Sequence, residues 1–358
     1  MASKSNTMNT DNPLDRYSRQ MRVPGIGKAG QLKIMNSRVT LCGCGALGTV
    51  LANTLARAGV GFIRIIDRDF VEPSNLQRQV LFDESDVTNN LPKAEAAATK
   101  LRQINSSIQI ESVVADIDRT NIEELCKDAD LILDGTDNFE VRYLINDIAI
   151  KLGKPWVYGG AVGSEGMTFT IIPGQTPCLR CVFEASPGPG EVGTCETAGV
   201  LAPIVTIIAS FQAAEALKIL AGKSEAISKE LFVLNIWENT SRRVKIAPLA
   251  GRKGQCPCCA KREFEWLDGA HGTQTTTLCG RNAVQVTQKR SISLNFGDLA
   301  KQLEASGPVS SNKFLLKFQV TDSGDPYDFT VFPDGRAIIK GTDDPDRART
   351  LYAKYIGH

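Results

Sequence analysis

The sequence predicts an α/β protein with a Rossmann-like, doubly wound and mostly parallel sheet, a mixed sheet in its second half and a small α+β domain at its C-terminus. Short β-branched segments alternate with amphipathic helical segments up to about residue 160, as in parallel sheets with helical crossovers. The motif Gly43-x-Gly45-x-x-Gly48 follows the first strand and opens a helix. After residue 163 this alternation stops, which predicts a different strand arrangement.

The predicted elements of the first part alternate regularly. They are helices at 14–23 and 29–36, a strand at 38–42, a helix ending at 58, a strand at 62–67, a helix at 92–105, a strand at 108–114, a helix at 122–126, a strand at 131–134, a helix at 139–152 and a strand at 156–159. Gly59 and Gly61 mark the end of the helix after the glycine motif, since glycine is common just past a helix end.

After residue 163 the predicted helices and strands are more widely spaced along the sequence than before it. They are a strand at 167–172, a Pro/Gly-rich loop at 186–193, an apolar helix at 203–220, strands at 231–236, 243–246, 284–286, 292–294 and 314–320, a hairpin at 329–340, and helices at 296–304 and 344–355. We therefore divide the chain into a disordered tail (1–13), a main domain (14–265), a linker (266–280) and a small α+β domain (281–358).

Composition limits the class of protein. Apolar residues make up 42% and charged residues 23% of the 358 residues, which is ordinary for a folded domain. The formal net charge of +1 gives no general attraction to nucleic acid or membranes. We find no uninterrupted apolar run of about 18 residues and no apolar signal segment in the polar N-terminus. We expect a cytoplasmic protein with reduced thiols.

The glycine motif predicts a nucleotide site. Its glycines let backbone N–H groups approach a phosphate at a helix N-terminus, and Asp67 ends the next strand, placed to bond a ribose hydroxyl. By itself this pattern favours NAD or FAD as much as ATP, and a glycine turn without a ligand is the simpler alternative.

Charged residues after the motif favour ATP. Arg78 and Lys93 follow in sequence, and a triphosphate under attack needs several cations, whereas hydride transfer needs an unobstructed nicotinamide face. Asp137, after a strand end, is a carboxylate suited to Mg²⁺. Each residue alone reads as a surface charge or helix cap, but the set in this order indicates ATP with Mg²⁺.

Two cysteine pairs, Cys178-x-x-Cys181 and Cys256-x-x-Cys259, predict a structural zinc site of four thiolates. A redox Cys-x-x-Cys is the competing interpretation, but such motifs usually follow a strand in a thioredoxin-like unit. Cys258 is an extra candidate ligand, although a two-residue gap suits chelation better.

These motifs resemble the ubiquitin-activating-type adenylyltransferases, specifically the bacterial sulfur-carrier-activating ThiF/MoeB/HesA family. The resemblance runs from Asp15 to about Cys259. The matching segments are 16–20 (RYSRQ), the glycine motif, 67–69 (DRD), 74–79 (SNLQRQ), Lys93, 135–138 (GTDN), 194–196 (TCE) and 199–203 (GVLAP).

The resemblance implies roles for single residues. Asp67 would bind ribose, Arg78 and Lys93 would bind phosphates, and Asp137 would bind Mg²⁺. Arg19 resembles an arginine that reaches the nucleotide of the neighbouring subunit, which implies a homodimer. Asp69 and Asn75, within matching segments, are expected in the nucleotide pocket, and the four cysteines coincide with the family's structural zinc site.

The implied reaction is attack on the α-phosphate of ATP by the terminal carboxylate of a small ubiquitin-like sulfur-carrier protein ending in Gly-Gly. Catalysis would rest on positioning and charge neutralisation, without a general base. His271 and His358 lie far from the motifs in sequence and are predicted bystanders.

The other cysteines leave alternatives open. Cys195 resembles a family cysteine in a mobile crossover segment that can attack the acyl adenylate, or it is a small buried residue. Cys42 and Cys44 are predicted to be apolar fillers and Cys126 a core residue. For Cys279, at the start of the C-terminal segment, a working thiol is the alternative to a residue without a chemical role.

The tail departs from the resemblance. Some relatives end in a rhodanese domain, but Cys279 is the only cysteine after Cys259, so the tail does not look like one. Recruitment of the carrier, of a sulfur donor or of a conjugating enzyme is one interpretation of this segment, and a dimer or packing element is the other. Competing functions are a conjugation-activating enzyme with a thioester on Cys195, an NAD-dependent oxidoreductase and a non-catalytic scaffold.

Overall fold

The computed structural model describes residues 12–185, 198–270, 276–278, 282–286, 294–303, 307–322 and 324–357. The larger elements of the first half are α1 (Gly27–Met35), β1 (Arg38–Cys42), α2 (Ala46–Ala58), β2 (Phe62–Ile66), α3 (Glu84–Thr88), α4 (Lys93–Ile104), β3 (Gln109–Val113), α5 (Ile122–Cys126), β4 (Leu131–Asp134), α6 (Phe139–Leu152), β5 (Trp156–Val162) and β6 (Glu165–Ile171).

The second half continues with α7 (Leu179–Val182), α8 (Ala202–Leu220), β7 (Glu230–Asn235), β8 (Thr240–Lys245), β9 (Thr276–Leu278), β10 (Ala283–Val286), α9 (Phe296–Leu303), β11 (Val309–Ser311), β12 (Leu316–Asp322), β13 (Asp325–Val331), β14 (Ala337–Lys340) and α10 (Pro345–Tyr355). Short 3₁₀ segments lie at Asp15–Tyr17, Gln20–Arg22, Pro73–Asn75, Ser224–Ala226 and Ala247–Gly254.

The main sheet has eight strands in the order β3-β2-β1-β4-β5-β6-β7-β8. Strands β1 to β5 are parallel, and β6, β7 and β8 add antiparallel neighbours beyond β5. The predicted doubly wound sheet with a mixed second half is therefore confirmed. The chain runs outward from β1 to β3 and then returns to β4, so the topological switch point lies between β1 and β4, where ligands of such sheets bind.

Helices cover both faces of this sheet. Helices α2, α4 and α8 pack together on one face, and α5 and α6 lie on the other. Among the described residues, Ala202–Leu220 alone is long and apolar enough to cross a membrane, a test that core helices also pass. Its Ile208 is fully buried, and the Gln212 amide donates to the Asp134 carbonyl over 2.8 Å, so α8 is a core helix.

A second sheet forms the C-terminal domain. Its six antiparallel strands follow the order β11-β12-β13-β14-β10-β9, with α9 and α10 packed through Leu299, Leu351 and Tyr352. This confirms the predicted small α+β fold. Strand β9 falls within the predicted linker, and Trp266 stacks on Tyr143 of the main domain at 5.1 Å between ring centroids. We propose that the domain boundary lies near residue 270.

Several predicted boundaries change. The predicted helix at 14–23 is two 3₁₀ turns, because the segment follows the surface to bury Tyr17, whose hydroxyl accepts from Asn105 over 3.0 Å. Strand β8 begins at Thr240, earlier than predicted, since the whole segment pairs with β7. Residues 1–11 of the predicted tail and most of the predicted strand 292–294 lie outside the described residues.

Candidate functional site

The glycine motif lies at the switch point between β1 and β4. Gly43 has φ +90°, and a Cβ there would meet the Gly135 carbonyl oxygen at 2.8 Å. A Cβ on Gly48 would lie 2.2 Å from the Gly43 oxygen, closer than two such atoms can approach. Gly45 differs, because a Cβ there would lie 3.9 Å from its nearest neighbours. The fold itself requires Gly43 and Gly48, whereas the space beside Gly45 is available for a ligand.

We expect Gly45→Ala and Gly48→Ala to separate these two requirements. The Gly45→Ala protein should lose only about 1 kcal/mol of stability, as a poorer helix N-cap, but bind nucleotide at least about tenfold more weakly. The Gly48→Ala protein should unfold at a markedly lower temperature because of the collision with Gly43. Thermal unfolding and nucleotide titration check both, and equal losses of stability in the two proteins would contradict this assignment.

Asp67 is held against the glycine motif. Its Oδ2 accepts from the Cys44 N–H over 2.6 Å, and its Oδ1 accepts from the Asp69 N–H over 2.8 Å. Burial raises the pKa of the Asp67 carboxyl, Asp69 adds to this effect, and Lys93 opposes it. The structure therefore brings Asp67 to the turn, as the sequence predicted.

Lys93 and Asp69 form an ion pair beside Asp67. Lys93 begins α4, and its buried Nζ lies 3.1 Å from Asp69 Oδ2, while its N–H donates to the Asp69 carbonyl over 2.8 Å. The preceding segment is folded locally: buried Asn75 accepts from the Glu72 N–H over 3.1 Å, and Arg78 Nη1 donates to the Ser74 carbonyl over 2.8 Å. All of these residues except Lys93 lie between β2 and α4, and Lys93 is the first residue of α4.

Asp137 is exposed in the loop that follows β4. A buried ion pair shapes this loop, with Arg142 Nε 3.0 Å from Asp134 Oδ2 and Arg142 Nη2 donating to the Thr136 carbonyl over 2.7 Å. Burial opposes the charge of Arg142, but Asp134 and Asp137 hold the pKa of this arginine above its ordinary value. The loop brings Asp137 next to Gly135, which contacts the glycine motif.

Arg19 lies far from the glycine motif of its own chain. It is exposed, and the neighbouring Gln20 donates to the Ala58 carbonyl over 3.0 Å, at the C-terminal end of α2. The glycine motif is at the other end of this 13-residue helix, about 20 Å away. The structure therefore does not join Arg19 to the other predicted site residues within one chain.

The four predicted zinc-binding cysteines come together. Their sulfur atoms all lie within 4.8 Å of one another, with 3.7 Å between Cys178 and Cys181, 3.6 Å between Cys178 and Cys256, and 3.4 Å between Cys181 and Cys259. Four sulfurs around tetrahedral Zn²⁺ are about 3.8 Å apart, so the donor set fits that ion. Cys258 Sγ instead accepts from the Asn146 amide over 3.1 Å.

Other predicted cysteines are outside this cluster. Cys42, Cys44 and Cys126 are buried in the two cores, as fillers would be, and burial raises the pKa of the Cys44 thiol. Four residues considered in the sequence lie outside the described residues, namely Cys195, His271, Cys279 and His358.

Comparison with known proteins assigns the family. The sequence model of the ThiF family matches residues 17–258, which is more than half of the chain. The chain belongs to the ThiF family. This match contains the glycine motif, the Asp137 loop and the first three residues of the four-cysteine cluster.

Relatives of this ThiF-family chain include a named adenylyltransferase and a named activating enzyme. The sulfur carrier protein ThiS adenylyltransferase of Bacillus subtilis is 43% identical over 343 residues, or 96% of this chain and 99% of the relative. The SAMP-activating enzyme E1 of Haloferax volcanii is 38% identical over 248 residues, or 69% of this chain and 89% of the relative. The ThiF-family chain is an adenylyltransferase.

Solved structures resemble the ThiF-family chain over about 70% of its length. E. coli MccB with MccA-N7isoASN has a TM-score of 0.61 at 25% identity, covering 70% of this chain and 76% of that chain. E. coli MccB with ATP has a TM-score of 0.59 at 25% identity, covering 68% and 74%.

Two residues of the site in the ThiF-family chain, Arg142 and Gln79, were not predicted from the sequence. Arg142 sits within a helix, and its pairing with Asp134 was not predicted. Gln79 lies in a matching segment but received no role; it is buried beside Gly45, and its Oε1 has no hydrogen-bond partner within the described residues. A buried acceptor at this place is positioned for a donor group of a ligand. The signal for Gln79 in the sequence was its position directly after Arg78 in the matching segment 74–79.

We expect Arg142→Ala to destabilise the ThiF-family enzyme by about 3–5 kcal/mol, because it leaves Asp134 buried without its cation. Lys127→Ala, which removes an exposed pair with Glu124, is the control and should cost less than about 0.5 kcal/mol. Urea unfolding measures both. Equal unfolding midpoints for the two variants would contradict the role of Arg142 in shaping the Asp137 loop.

Proposed function

We propose that this enzyme uses ATP to adenylylate the C-terminal glycine carboxylate of a small ubiquitin-like sulfur-carrier protein of the ThiS type. Pyrophosphate is released, and the adenylylated carboxylate is activated for a later sulfur transfer. The observation that carries the proposal is the near full-length match to the ThiS adenylyltransferase of Bacillus subtilis. This match covers 96% of the chain and so extends into the C-terminal domain, whereas the match to the Haloferax volcanii enzyme covers 69%.

The nucleotide would occupy the switch point. The N-terminus of α2 and the glycine motif would bind phosphate, and Asp67 would bond the ribose. Lys93 and Arg78 would bind phosphates, with Asp69 and Asn75 positioning that segment. The likeness to MccB with ATP supports this choice of nucleotide.

The chemistry needs charge neutralisation more than proton transfer. A carboxylate oxygen of the carrier forms a bond to the α-phosphorus, the bond from that phosphorus to the β-phosphate oxygen breaks, and pyrophosphate leaves with its electron pair. Mg²⁺, held by Asp137, would neutralise phosphate charge when bound. The carrier carboxylate is already ionised at neutral pH, so no general base is required.

A homodimer would complete the site. Arg19 is exposed and about 20 Å from its own glycine motif, so a second copy has to supply it if it contacts nucleotide. Twofold symmetry would then give two equivalent sites, each with one Arg19 from the partner.

We further propose that the cysteine cluster holds structural Zn²⁺. The four thiolates leave no open position for water, as in structural rather than catalytic zinc sites. All cysteines in the described residues are free, which agrees with a reducing compartment, and we place the enzyme in the cytoplasm.

A second candidate function is activation for protein conjugation, with the carrier passed to Cys195 as a thioester. The match to an enzyme named E1 favours it. A carrier–enzyme adduct that is cleaved by thiol and absent in Cys195→Ala would support this branch. The family assignment does not support the NAD-dependent oxidoreductase.

Intact-mass spectrometry tests the main proposal. The enzyme, Mg-ATP and a Gly-Gly-ended carrier should yield carrier that is heavier by one AMP moiety. A carrier whose C-terminal carboxylate is converted to a carboxamide is the matched control and should stay unmodified. Modification of both carriers, or of neither, would contradict the proposed use of the terminal carboxylate.

A further inference from the structure

The C-terminal domain docks directly on the loop that carries the nucleotide-site residues. Asp116 of the main domain binds Arg68 through Oδ1 at 2.5 Å and Arg336 of the C-terminal domain through Oδ2 at 3.0 Å. Gln285 also donates to Asp116, and Arg336 is only 4% exposed. Since Arg68 lies between Asp67 and Asp69, this network ties the C-terminal domain to the predicted ribose-binding loop.

Aromatic contacts strengthen the same junction. Phe70 packs against Phe332 with 5.5 Å between ring centroids, in a small core with Leu315 and Ile338. Lys340 Nζ lies 3.0 Å from Glu72 Oε1 across the junction. Apolar burial and charge pairing therefore hold the two domains together beside the site.

A cavity of about 360 Å³ lies at this junction. Its main-domain wall includes Asp69, Asn75 and Lys93, and its C-terminal wall includes Lys317, Gln319 and Lys340. The volume is within the range of small-molecule sites. The C-terminal domain thus shares a cavity with three of the predicted nucleotide-site residues, while the glycine motif and Asp67 lie outside the lining of this cavity.

Lys317 is the notable cation of this cavity. Its Nζ donates to Asn90 Oδ1 over 2.6 Å and lies 5.7 Å from the centre of the Phe70 ring. Within the described residues it forms no ion pair with a carboxylate. Burial lowers the pKa of Lys317, with Lys340 adding to the effect and Glu72 and Asp328 opposing it. A half-buried ammonium gains from an anionic partner, because burial disfavours its charge.

We propose that the C-terminal domain is part of the nucleotide site and that Lys317 binds an anionic oxygen of the ATP phosphates across the domain junction. The proposal rests on the proposed function for the choice of nucleotide. An ammonium has three donors, and its bond to Asn90 uses one of them. Lys93, the predicted phosphate-binding residue, lines the same cavity, and this shared lining is the reason that we assign phosphate oxygens to Lys317.

Calorimetric titration of the full-length enzyme with ATP, without carrier, tests the proposal. Lys317→Met keeps the aliphatic stem and should raise the Kd for ATP by about tenfold, as expected for loss of one charged hydrogen bond. Lys317→Arg should restore most of the affinity. Lys313→Met is the matched control, since Lys313 is exposed and outside the cavity, and its Kd should stay within about twofold of wild type.

Two results would overturn the proposal. One is an unchanged Kd for ATP in a folded Lys317→Met or Lys317→Gln protein, with folding checked by thermal unfolding. The other is a raised KM for the carrier alone, which would assign the cavity to the carrier tail. Because ATP binding is measured without carrier, an enzyme that binds ATP through Lys317 but modifies no carrier would refute only the proposed function.

Discussion

Arg19→Ala and Asp137→Ala proteins are each expected to lose at least about a hundredfold in carrier adenylylation, and purified mixed dimers of the two should regain roughly half of wild-type activity. Each substitution removes positive charge that the proposed transition state needs. Asp137→Ala removes it by weakening Mg²⁺ binding, and Arg19→Ala removes the arginine itself. If Arg19 acts across the dimer, a mixed dimer contains one pocket with an intact Asp137 and the partner's intact Arg19.

Co-expression with two affinity tags measures this recovery. Sequential purification isolates mixed dimers, and their adenylylation rate is compared with that of each parent. Arg22→Ala is the control for Arg19, because Arg22 is exposed in the same short segment and should keep near wild-type activity. Mixed dimers as inactive as their parents would place Arg19 outside the partner's nucleotide site.

Cys256→Ser is expected to release zinc and to lower the free energy of unfolding by at least about 3 kcal/mol, since binding energy at structural zinc sites is folding energy. The sulfur of Cys256 lies 3.6 Å from that of Cys178, so its loss breaks the tie between α7 and the segment after Gly254. Elemental analysis and chemical unfolding measure the two effects.

Cys258→Ser is the matched control for the zinc prediction. Cys258 is buried two residues away but accepts from Asn146 and lies outside the four-sulfur cluster. It should keep one zinc ion per chain. Zinc that stays bound in Cys256→Ser and is lost in Cys258→Ser would exchange the roles of the two cysteines.

Local sequence signals predicted the central part of the fold well. The strand Arg38–Cys42, the helix ending at Ala58 and the strand Leu131–Asp134 are confirmed at their predicted bounds. In each case short-range chemistry decides the structure, with β-branched buried strands and glycine just past a helix end. Spacing also sufficed for the cysteine cluster, because two Cys-x-x-Cys hooks match tetrahedral chelation.

Ion pairs between residues that are far apart in the sequence could not be predicted from local sequence patterns. Nothing local indicates that Arg142 pairs with Asp134, or that Lys93 pairs with Asp69 across 24 positions. The C-terminal segment was predicted correctly to have a small α+β fold, but its position against the main domain was not predicted. That place depends on the contact between Asp116 and Arg336, which are 220 positions apart.

Exchange of radiolabelled pyrophosphate into ATP is the most direct test of the account. With Mg²⁺ and a Gly-Gly-ended carrier of the ThiS type, the wild-type enzyme should catalyse exchange that needs the carrier, and Asp137→Ala should reduce it at least about a hundredfold. Exchange that proceeds without a carrier, that is absent with every such carrier, or that is unaffected by Asp137→Ala would contradict adenylylation of a carrier carboxylate at this site.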